Sequence, residues 1–404
     1  MLQDKNQFLN DLNYSLFMQT GEKMNALKLI LISTLFTISG CGKSDKKSSE
    51  KLHIAGNEIV SAERFTLNSK NSWTEVKIIN PWQGATNVNQ VYYLVKRGYK
   101  LPEGIDSGAV IFVPLKKIVC MSTTHIAMIS ALGEEKSIVG MSGTNFIYSP
   151  DLLKNVDKGL ISDVGYEANL NKELILKISP DLIMIYGIGS ESAGYVGKLK
   201  ELGTKVIINA DYLETDPLSR AEWIKLFGAL YCKEKLADSI FKSEVEEYTK
   251  LKSYIDQNIR NRPTVLLGLP YRDTWYISPG NSFISKLISD AGGDYLWKDT
   301  ESSVSMPYGI ENVYIKGMKA DFWLNIGSVS SRIEIANADQ RLDDLPCFKN
   351  DNLFNNNNRV TVNGGNDFWE SGSLYPHLIL KDIATILHPE LFSDHKLTFY
   401  RKIN

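Results

Sequence analysis

After the first 115 residues, short apolar runs alternate with segments of helical periodicity. Ile118–Met121, Ser137–Met141, Leu182–Tyr186 and Thr264–Leu267 have the length and composition of buried strands. The segments between them carry polar capping residues and apolar positions three or four residues apart. Buried strands that alternate with helices predict parallel sheets covered by helices on both faces. The pattern therefore predicts an α/β fold.

A long helical segment divides this alternation into two parts. Asp216-Pro217 is a typical helix start, and apolar residues recur at helical spacing from Leu236 to Ile255 with charges on the opposite face. The segment is too long for a simple crossover between neighbouring strands. We predict two Rossmann-like lobes with parallel sheets, residues 116–216 and 260–404, joined by a long rigid helix within residues 217–259.

Residues 56–115 have a different pattern. Val76–Ile79 and Val91–Val95 are rich in β-branched and aromatic residues, and Pro81 and Gly84 lie between them. We predict a small N-terminal β element that precedes the two lobes.

The chain begins with features of an export signal. An apolar run, Leu29–Ile38, follows Lys28 and is too short to span a bilayer. It has the proportions of a signal-peptide core, and the small residues that precede Cys41 suit a cleavage site. The sequence Ile38-Ser39-Gly40-Cys41 resembles the bacterial lipobox, in which cleavage leaves an acylated cysteine at the new N-terminus.

We therefore expect residues 24–40 to be a lipoprotein signal peptide and Cys41 to be lipidated. Residues 41–55, rich in Ser and Lys, are predicted to be a flexible tether. Residues 1–23 are either an upstream mis-start or additional leader. The expected location is the cell envelope, on the periplasmic side or at the cell surface, with the lipid as the membrane attachment.

The composition argues against several classes of function. The net charge of −2 across 404 residues gives no reason to expect a nucleic-acid partner. Four cysteines are too few for a disulfide scaffold at this length, and no two of them have zinc-binding spacing. No metal site and no intrinsic cofactor are predicted.

The order of the elements resembles the periplasmic binding proteins for vitamin B12, ferric siderophores and haem. The resemblance covers roughly residues 116–400, and it is carried by Ile118–Gly133, by Leu174–Ile185 with its Ser179-Pro180-Asp181, by Ile284–Trp297 and by Leu387–Leu391. It implies two lobes with a ligand in the cleft between them. It also implies delivery of an iron chelate (siderophore or haem) or a cobalamin to an ABC permease dimer with its ATPase.

The resemblance further implies one acidic residue on each lobe that docks onto permease arginines. By position these are Glu173 and Glu311, each at a predicted helix start upstream of an Asp-led strand. A carboxylate at an exposed helix start can pair with a bidentate arginine, although it can equally serve only the helix dipole.

Ligands of open α/β sheets bind beyond the carboxyl ends of the strands. In and near such loops the sequence places aromatic side chains suited to a macrocycle or chelate, an arginine that could pair with a ligand carboxylate, and a histidine that could ligate iron or cobalt. The candidate ligand contacts are His125, Tyr148, Tyr186, Arg272, Trp275 and Trp369. Core or rim packing is the competing role for each aromatic, and a helix cap or a polar role for His125.

Two other classes of function remain as alternatives. An enzyme would be suggested by Gly187-Ile188-Gly189, but Ser192 replaces the third glycine of a dinucleotide fingerprint, and no catalytic motif accompanies it. No catalytic residue is predicted. The second alternative is a surface lipoprotein that binds carbohydrate or another small ligand without transport; the long helix between two α/β halves argues against it.

Overall fold

A computed structural model describes residues 58–404 except 102, 167–168, 188–190 and 202. The predicted signal peptide, Cys41 and the tether lie outside the described residues. Within the described residues, no helix combines the length and the apolar character needed to cross a bilayer.

The chain enters the described structure through a four-stranded sheet. Its strands, in spatial and chain order, are β1 (Phe65–Ser69), β2 (Trp73–Ile79), β3 (Asn89–Lys96) and β4 (Val110–Val113). The first three strands are antiparallel, and β4 runs parallel to β3. The two inner strands contain the predicted β segments. The outer two have weaker patterns and were not predicted.

The N-terminal lobe is a five-stranded parallel sheet. Its strands are β5 (Ile118–Cys120), β6 (Ile138–Met141), β7 (Ser162–Asp163), β8 (Leu182–Ile185) and β9 (Val206–Ile208), in the order β7-β6-β5-β8-β9. The helices are α1 (Thr123–Ala131), α2 (Pro150–Asp157), α3 (Lys172–Ile178) and α4 (Glu191–Glu201). The strand order reverses between β5 and β8, which makes their carboxyl ends a topological switch point.

The connection between the lobes consists of three helices rather than one. These are α5 (Pro217–Ala221), α6 (Ile224–Leu230) and α7 (Glu234–Asn258). The 25-residue α7 is about 37 Å long at 1.5 Å per residue. Its Ala237 and Phe241 pack into the core of the N-terminal lobe, whereas Tyr248 and Ile255 pack into the core of the C-terminal lobe. One continuous helix is therefore anchored in both lobes, as the sequence predicted.

The C-terminal lobe repeats the plan with a mixed sheet. Its strands are β10 (Thr264–Leu267), β11 (Thr274–Ile277), β12 (Asp294–Tyr295), β13 (Met306–Gly309), β14 (Phe322–Leu324), β15 (Leu353–Asn355) and β16 (Arg401–Lys402). The main sheet has the order β12-β10-β14-β15-β16, with only β16 antiparallel, and β11 pairs with β13 as a separate hairpin-like sheet. The helices are α8 (Phe283–Asp290), α9 (Ile310–Gly317), α10 (Arg332–Ala338), α11 (Pro346–Lys349), α12 (Asp367–Glu370) and α13 (Pro376–Leu387).

The α/β fold agrees with the prediction, and the two main sheets are parallel apart from β16. The β-branched segment Val360–Val362 also favours a strand by its composition, but that expectation is wrong. Val360–Val362 forms only an isolated bridge, between Val360 and Asn366. Val362 is fully exposed, so this segment does not pack into a sheet.

Candidate functional site

The carboxyl ends of the N-terminal strands carry a group of aromatic residues. We call Phe146, Tyr166, Tyr186 and Tyr212 the aromatic wall. Phe146 and Tyr166 pack edge to face with ring centroids 6.2 Å apart. Tyr212 donates a hydrogen bond to the carbonyl oxygen of Gly187, immediately after Tyr186. The sequence analysis identified only Tyr186, because the other three follow irregular loops and have no periodic pattern.

The environment of the wall keeps the phenols of Tyr166 and Tyr212 protonated. Burial, with the nearby charge of Asp163, raises the pKa of Tyr166 to about 12, and burial also raises the pKa of Tyr212. Gly143 has φ +68° beneath this wall, and a Cβ there would lie 2.5 Å from the Tyr166 hydroxyl and 2.7 Å from the Phe146 ring. The wall is thus close-packed on its protein side and made of neutral, amphipathic rings.

The loop after β6 also contacts a segment of the C-terminal lobe. The Glu370 carboxylate accepts hydrogen bonds from the backbone N–H groups of Tyr148 (2.6 Å) and Ser149 (3.1 Å). The backbones approach closely, since a Cβ on Gly365 would lie 2.4 Å from the carbonyl oxygen of Ile147. The carboxyl edge of the N-terminal sheet therefore faces the second lobe, and we call this region the interlobe boundary.

Tyr148, one of the candidate ligand contacts from the sequence, lies within this boundary. Its hydroxyl accepts a hydrogen bond from Arg359 Nε at 3.2 Å, and the Arg359 guanidinium lies 5.1 Å from its ring centroid. Arg359 also pairs with the buried Asp367 at 3.1 Å. Arg359 and Glu370 belong to the site geometry but were not predicted, because isolated charged residues in a loop have no distinguishing pattern.

Trp369 is accessible at the same boundary, and Arg272 is accessible beyond the carboxyl end of β10. Trp369 is 45% exposed, on α12, which packs against α1 of the other lobe. Arg272 is exposed in the tight turn after β10, has φ 54° and lies 5.3 Å from the Tyr271 ring. Both side chains remain available to a ligand.

Two predicted ligand contacts instead lie in the core. Trp275 is fully buried, donates to the carbonyl oxygen of Leu267 at 3.0 Å and packs 5.6 Å from Trp323. It supports the turn that carries Arg272 and is not available to a ligand, because alternate residues of β11 face inward.

His125 is also fully buried, on the inner face of α1 with its ring 6.4 Å from that of Phe227. Desolvation lowers its pKa to about 3, so the ring is neutral, and Ser122 rather than His125 caps the helix. The expectation that a ring nitrogen could reach the cleft is corrected: the residue's helical position turns it toward the core.

At the base of the boundary lies a buried charged group. Asp211 follows β9, and burial raises its pKa, against the opposing effects of Arg220 and the Thr124 hydroxyl. Arg220 donates to the carbonyl oxygens of Tyr212 (2.8 Å) and Glu214 (2.9 Å). Its guanidinium lies 3.9 Å from the Phe283 ring of the C-terminal lobe. Arg220 of α5 therefore links the segment that follows β9 to the C-terminal lobe.

Two shallow cavities occur elsewhere, between β4 and the amino ends of β8 and β9. The larger has a volume of about 270 Å³ and includes Phe112, Asp181 and Lys205. Lys205 already donates to the carbonyl oxygens of Ser107 and Gly108. Both cavities lie at the amino ends of the strands, opposite the switch point, so we do not assign the ligand to them.

The two candidate docking carboxylates are both exposed, but in different surroundings. Glu173 lies in the first turn of α3. Glu311 lies in the first turn of α9 and accepts from Arg341 at 3.0 Å, and this hydrogen bond is the main reason its pKa is lowered.

Comparisons with known proteins agree with this geometry. Residues 118–347, more than half of the chain, match the periplasmic binding protein family. An uncharacterized lipoprotein of Methanocaldococcus jannaschii is 28% identical over 95% of this chain and 97% of its own length, and a second is 26% identical over 94% and 99%.

Solved structures show the same fold. A periplasmic heme binding protein from Pseudomonas aeruginosa has a TM-score of 0.55 at 16% identity, covering 72% of this chain and 98% of that one. A possible iron-binding (periplasmic solute-binding) protein from Staphylococcus epidermidis has a TM-score of 0.51 at 20% identity, covering 68% and 99%. With the two-lobe topology and the family match, these likenesses lead to one conclusion: the chain belongs to the periplasmic binding protein family, the substrate-binding proteins of ABC-transporter type.

Proposed function

We propose that this protein is the lipid-anchored binding component of an ABC importer that captures an iron chelate, haem or a cobalamin at the interlobe boundary. The observation that carries the proposal is the aromatic wall beyond the carboxyl ends of β6 to β9, together with Arg359 and Trp369 at the interlobe boundary. Arg272 lies beyond the carboxyl end of β10. Neutral aromatic faces bind flat apolar ligand surfaces with little loss of side-chain entropy, and the arginines suit ligand carboxylates.

The proposed contacts are Tyr148, Tyr186, Trp369 and Arg272, with Phe146, Tyr166 and Tyr212 added by the structure. His125 and Trp275 serve the core. A bound iron or cobalt is proposed to be part of the ligand; among the described residues no group of three or more His, Cys, Asp or Glu could hold a metal ion.

The permease and its ATPase are the proposed partners, with Glu173 and Glu311 as docking residues. Cys41 is the proposed lipid attachment, and two relatives named as lipoproteins support an envelope location. Since the family consists of binding proteins, we infer a binding function and no catalysis.

The test is spectroscopic titration of the purified protein with haem, cyanocobalamin and a ferric hydroxamate chelate, followed by calorimetry. We expect one of the three to bind at one site per chain, with a changed absorption spectrum. Failure to bind all three, with binding of oligosaccharides instead, would favour a surface carbohydrate-binding lipoprotein.

A further inference from the structure

The four-stranded N-terminal sheet precedes the residues that match the family, yet it is fastened to the N-terminal lobe by two buried carboxylates. Glu222 accepts backbone hydrogen bonds from Val60, Ser61 and Ala62 at 2.7–2.9 Å. Glu214 accepts from the next two residues of the chain at 2.9–3.2 Å. Breaking these bonds would remove most of the donors of two buried carboxylates and leave only Lys225 on Glu222 and Trp223 on Glu214, so the sheet has a fixed position on the lobe.

The sheet is also fixed along the amino ends of the N-terminal strands. Lys205, just before β9, donates to the loop that leads into β4, and Arg97, just after β3, pairs with Asp181 at 2.8 Å. At the opposite end of β3 from Arg97, between β2 and β3, the backbone of Gln83 hydrogen-bonds with the Tyr212 phenol. The connection between β2 and β3 therefore lies beside the aromatic wall.

Residues 80–88, which join β2 to β3 at that opposite end, form an ordered turn. Asn80 has φ 47°, its backbone N–H donates to the Val88 carbonyl oxygen at 2.7 Å, and the Val88 N–H donates to Asn80 Oδ1 at 3.0 Å. Arg64 donates to the Asn80 carbonyl oxygen at 3.3 Å, and the Ala85 N–H donates to the carbonyl oxygen of Trp82 at 3.1 Å. A turn with this many internal bonds holds its side chains in a defined place.

Two side chains of the turn reach the interlobe boundary. The half-buried Trp82 packs on the same apolar cluster as Tyr186 of the aromatic wall. Gln83 Nε2 donates to the carbonyl oxygen of Ser303 at 2.7 Å, and Ser303 lies between β12 and β13 of the C-terminal lobe. One turn therefore packs on the apolar cluster that Tyr186 also contacts, and it spans the boundary to the second lobe.

We propose that the Trp82–Gln83 turn is part of the ligand site, resting on the function proposed above. The Trp82 ring continues the aromatic wall and contacts the flat apolar face of a chelate or macrocycle. The Gln83–Ser303 hydrogen bond closes one end of the boundary over the bound ligand. The N-terminal sheet thus provides a third wall, in addition to the two lobes.

The experiment compares Trp82→Ala, Gln83→Ala and the matched control Trp73→Ala in titrations with haem, cyanocobalamin and a ferric hydroxamate chelate. Trp73 is half-buried in the same sheet against Tyr93, at the other end of the seven-residue β2 and about 20 Å away at 3.3 Å per residue. The thermal midpoint of each variant reports on folding.

For the ligand that wild type binds, Trp82→Ala should weaken affinity at least about tenfold, as for a buried aromatic hot spot. Gln83→Ala should raise the dissociation rate several-fold and leave the association rate close to wild type. Trp73→Ala should bind within about twofold of wild type. If Trp82→Ala lowers the thermal midpoint far more than Trp73→Ala, ligand affinity and rates are measured with Trp82→Phe and Gln83→Ala instead.

The outcomes separate the two proposals. If wild type binds one probe, and the Trp82 and Gln83 variants bind it with unchanged affinity and unchanged rates, the third wall is wrong and the binding function stands. If wild type binds none of the probes, the proposed ligand class fails and the inference fails with it.

Discussion

The two lobes use the same device at the amino ends of their strands and different chemistry at the carboxyl ends. Asp181, just before β8, accepts from the backbone N–H groups of Lys116 (2.7 Å) and Lys117 (3.1 Å), just before β5. Asp321, just before β14, accepts from the Thr264 N–H at 2.8 Å at the start of β10. In each lobe the aspartate fastens the two strands that flank the switch point.

The carboxyl ends show no such correspondence. In the N-terminal lobe they lead into the aromatic wall. In the C-terminal lobe they lead into amides: Asn355 donates to the carbonyl oxygens of Gly327 and Val329 at 2.9 Å, and Asn325 accepts from the Tyr400 hydroxyl at 2.6 Å. The comparison shows that the repeated Asp pattern belongs to the scaffold, whereas the ends that differ are the ends expected to meet the ligand.

The largest expected effect separates two tryptophans of the C-terminal lobe. Trp275→Ala should lower the free energy of unfolding by about 3–5 kcal/mol, because it empties a core position. Trp369→Ala should change stability by less than about 1 kcal/mol, because its ring is 45% exposed, but should weaken ligand binding. Urea denaturation and ligand titration of both variants check this. Equal stability losses would contradict the assignment of one to the core and the other to the site.

The second effect concerns the contact across the boundary. Burial raises the pKa of Glu370 to about 7, although the N–H groups of Tyr148 and Ser149 act in the opposite direction. The folded state therefore holds this proton more tightly than the unfolded chain. The contribution of Glu370 to the free energy of unfolding is greatest in acid and falls as the pH rises from about 4.5 to 7, by on the order of 3 kcal/mol.

Glu370→Gln removes that titration, so its stability relative to wild type should improve as the pH rises through this window. Urea denaturation at several pH values from 4.5 to 7.5 measures the difference. Other acidic groups titrate in both proteins and cancel in the comparison. Parallel curves for the two proteins would show that Glu370 does not carry a raised pKa.

The third effect tests the correspondence between the lobes. Asp181→Asn and Asp321→Asn should each lower the free energy of unfolding by about 1–3 kcal/mol, because one or more strand-end N–H groups lose a charged acceptor. Desolvation opposes ionisation of Asp181, but the N–H donors and Arg97 outweigh it, so its pKa is lowered. Its contribution is therefore present above the ordinary aspartate pKa and lost as the pH falls through the folded value. If only one of the two variants lost free energy of unfolding, the two aspartates would not play the same role in the two lobes.

Much of the scaffold could be predicted because local pattern and tertiary structure agree there. β10 has the predicted limits, since a buried parallel strand leaves a strong local pattern of consecutive apolar residues. The connecting segment was predicted as a unit, but the turns that divide it are governed by packing: Gly228 lies so close to Ala237 that a Cβ there would be 2.5 Å from the alanine methyl. Such a contact has no signature in the sequence.

The site was less predictable for a physical reason. Strand polarity could place a loop at the correct edge, which is why Tyr148 and Trp369 lie at the boundary and Tyr186 and Arg272 follow the carboxyl ends of their strands. It could not tell which way a side chain points within the first turn of a helix or along a short strand, and so His125 and Trp275 were assigned wrongly. Arg359 and Glu370 are close to Tyr148 through contacts more than 200 residues apart in sequence, which periodicity does not report.

The smallest effect on the protein itself, and the sharpest contrast between the lobes, concerns the docking carboxylates. Both are exposed, so charge reversal should leave stability and ligand affinity unchanged. Glu173 has no side-chain ion pair within the described residues, whereas Glu311 is paired with Arg341 at 3.0 Å, so a permease arginine must compete with Arg341 for Glu311. Glu173→Arg should therefore reduce uptake by cells several-fold more than Glu311→Arg, and Arg341→Ala should increase complex formation with the permease by freeing Glu311.

Ligand uptake by cells and co-purification with the permease are the measurements. Normal uptake by the double charge-reversal variant would remove the docking role from both residues, and equal defects in the two single variants would show that Arg341 releases Glu311 without measurable cost.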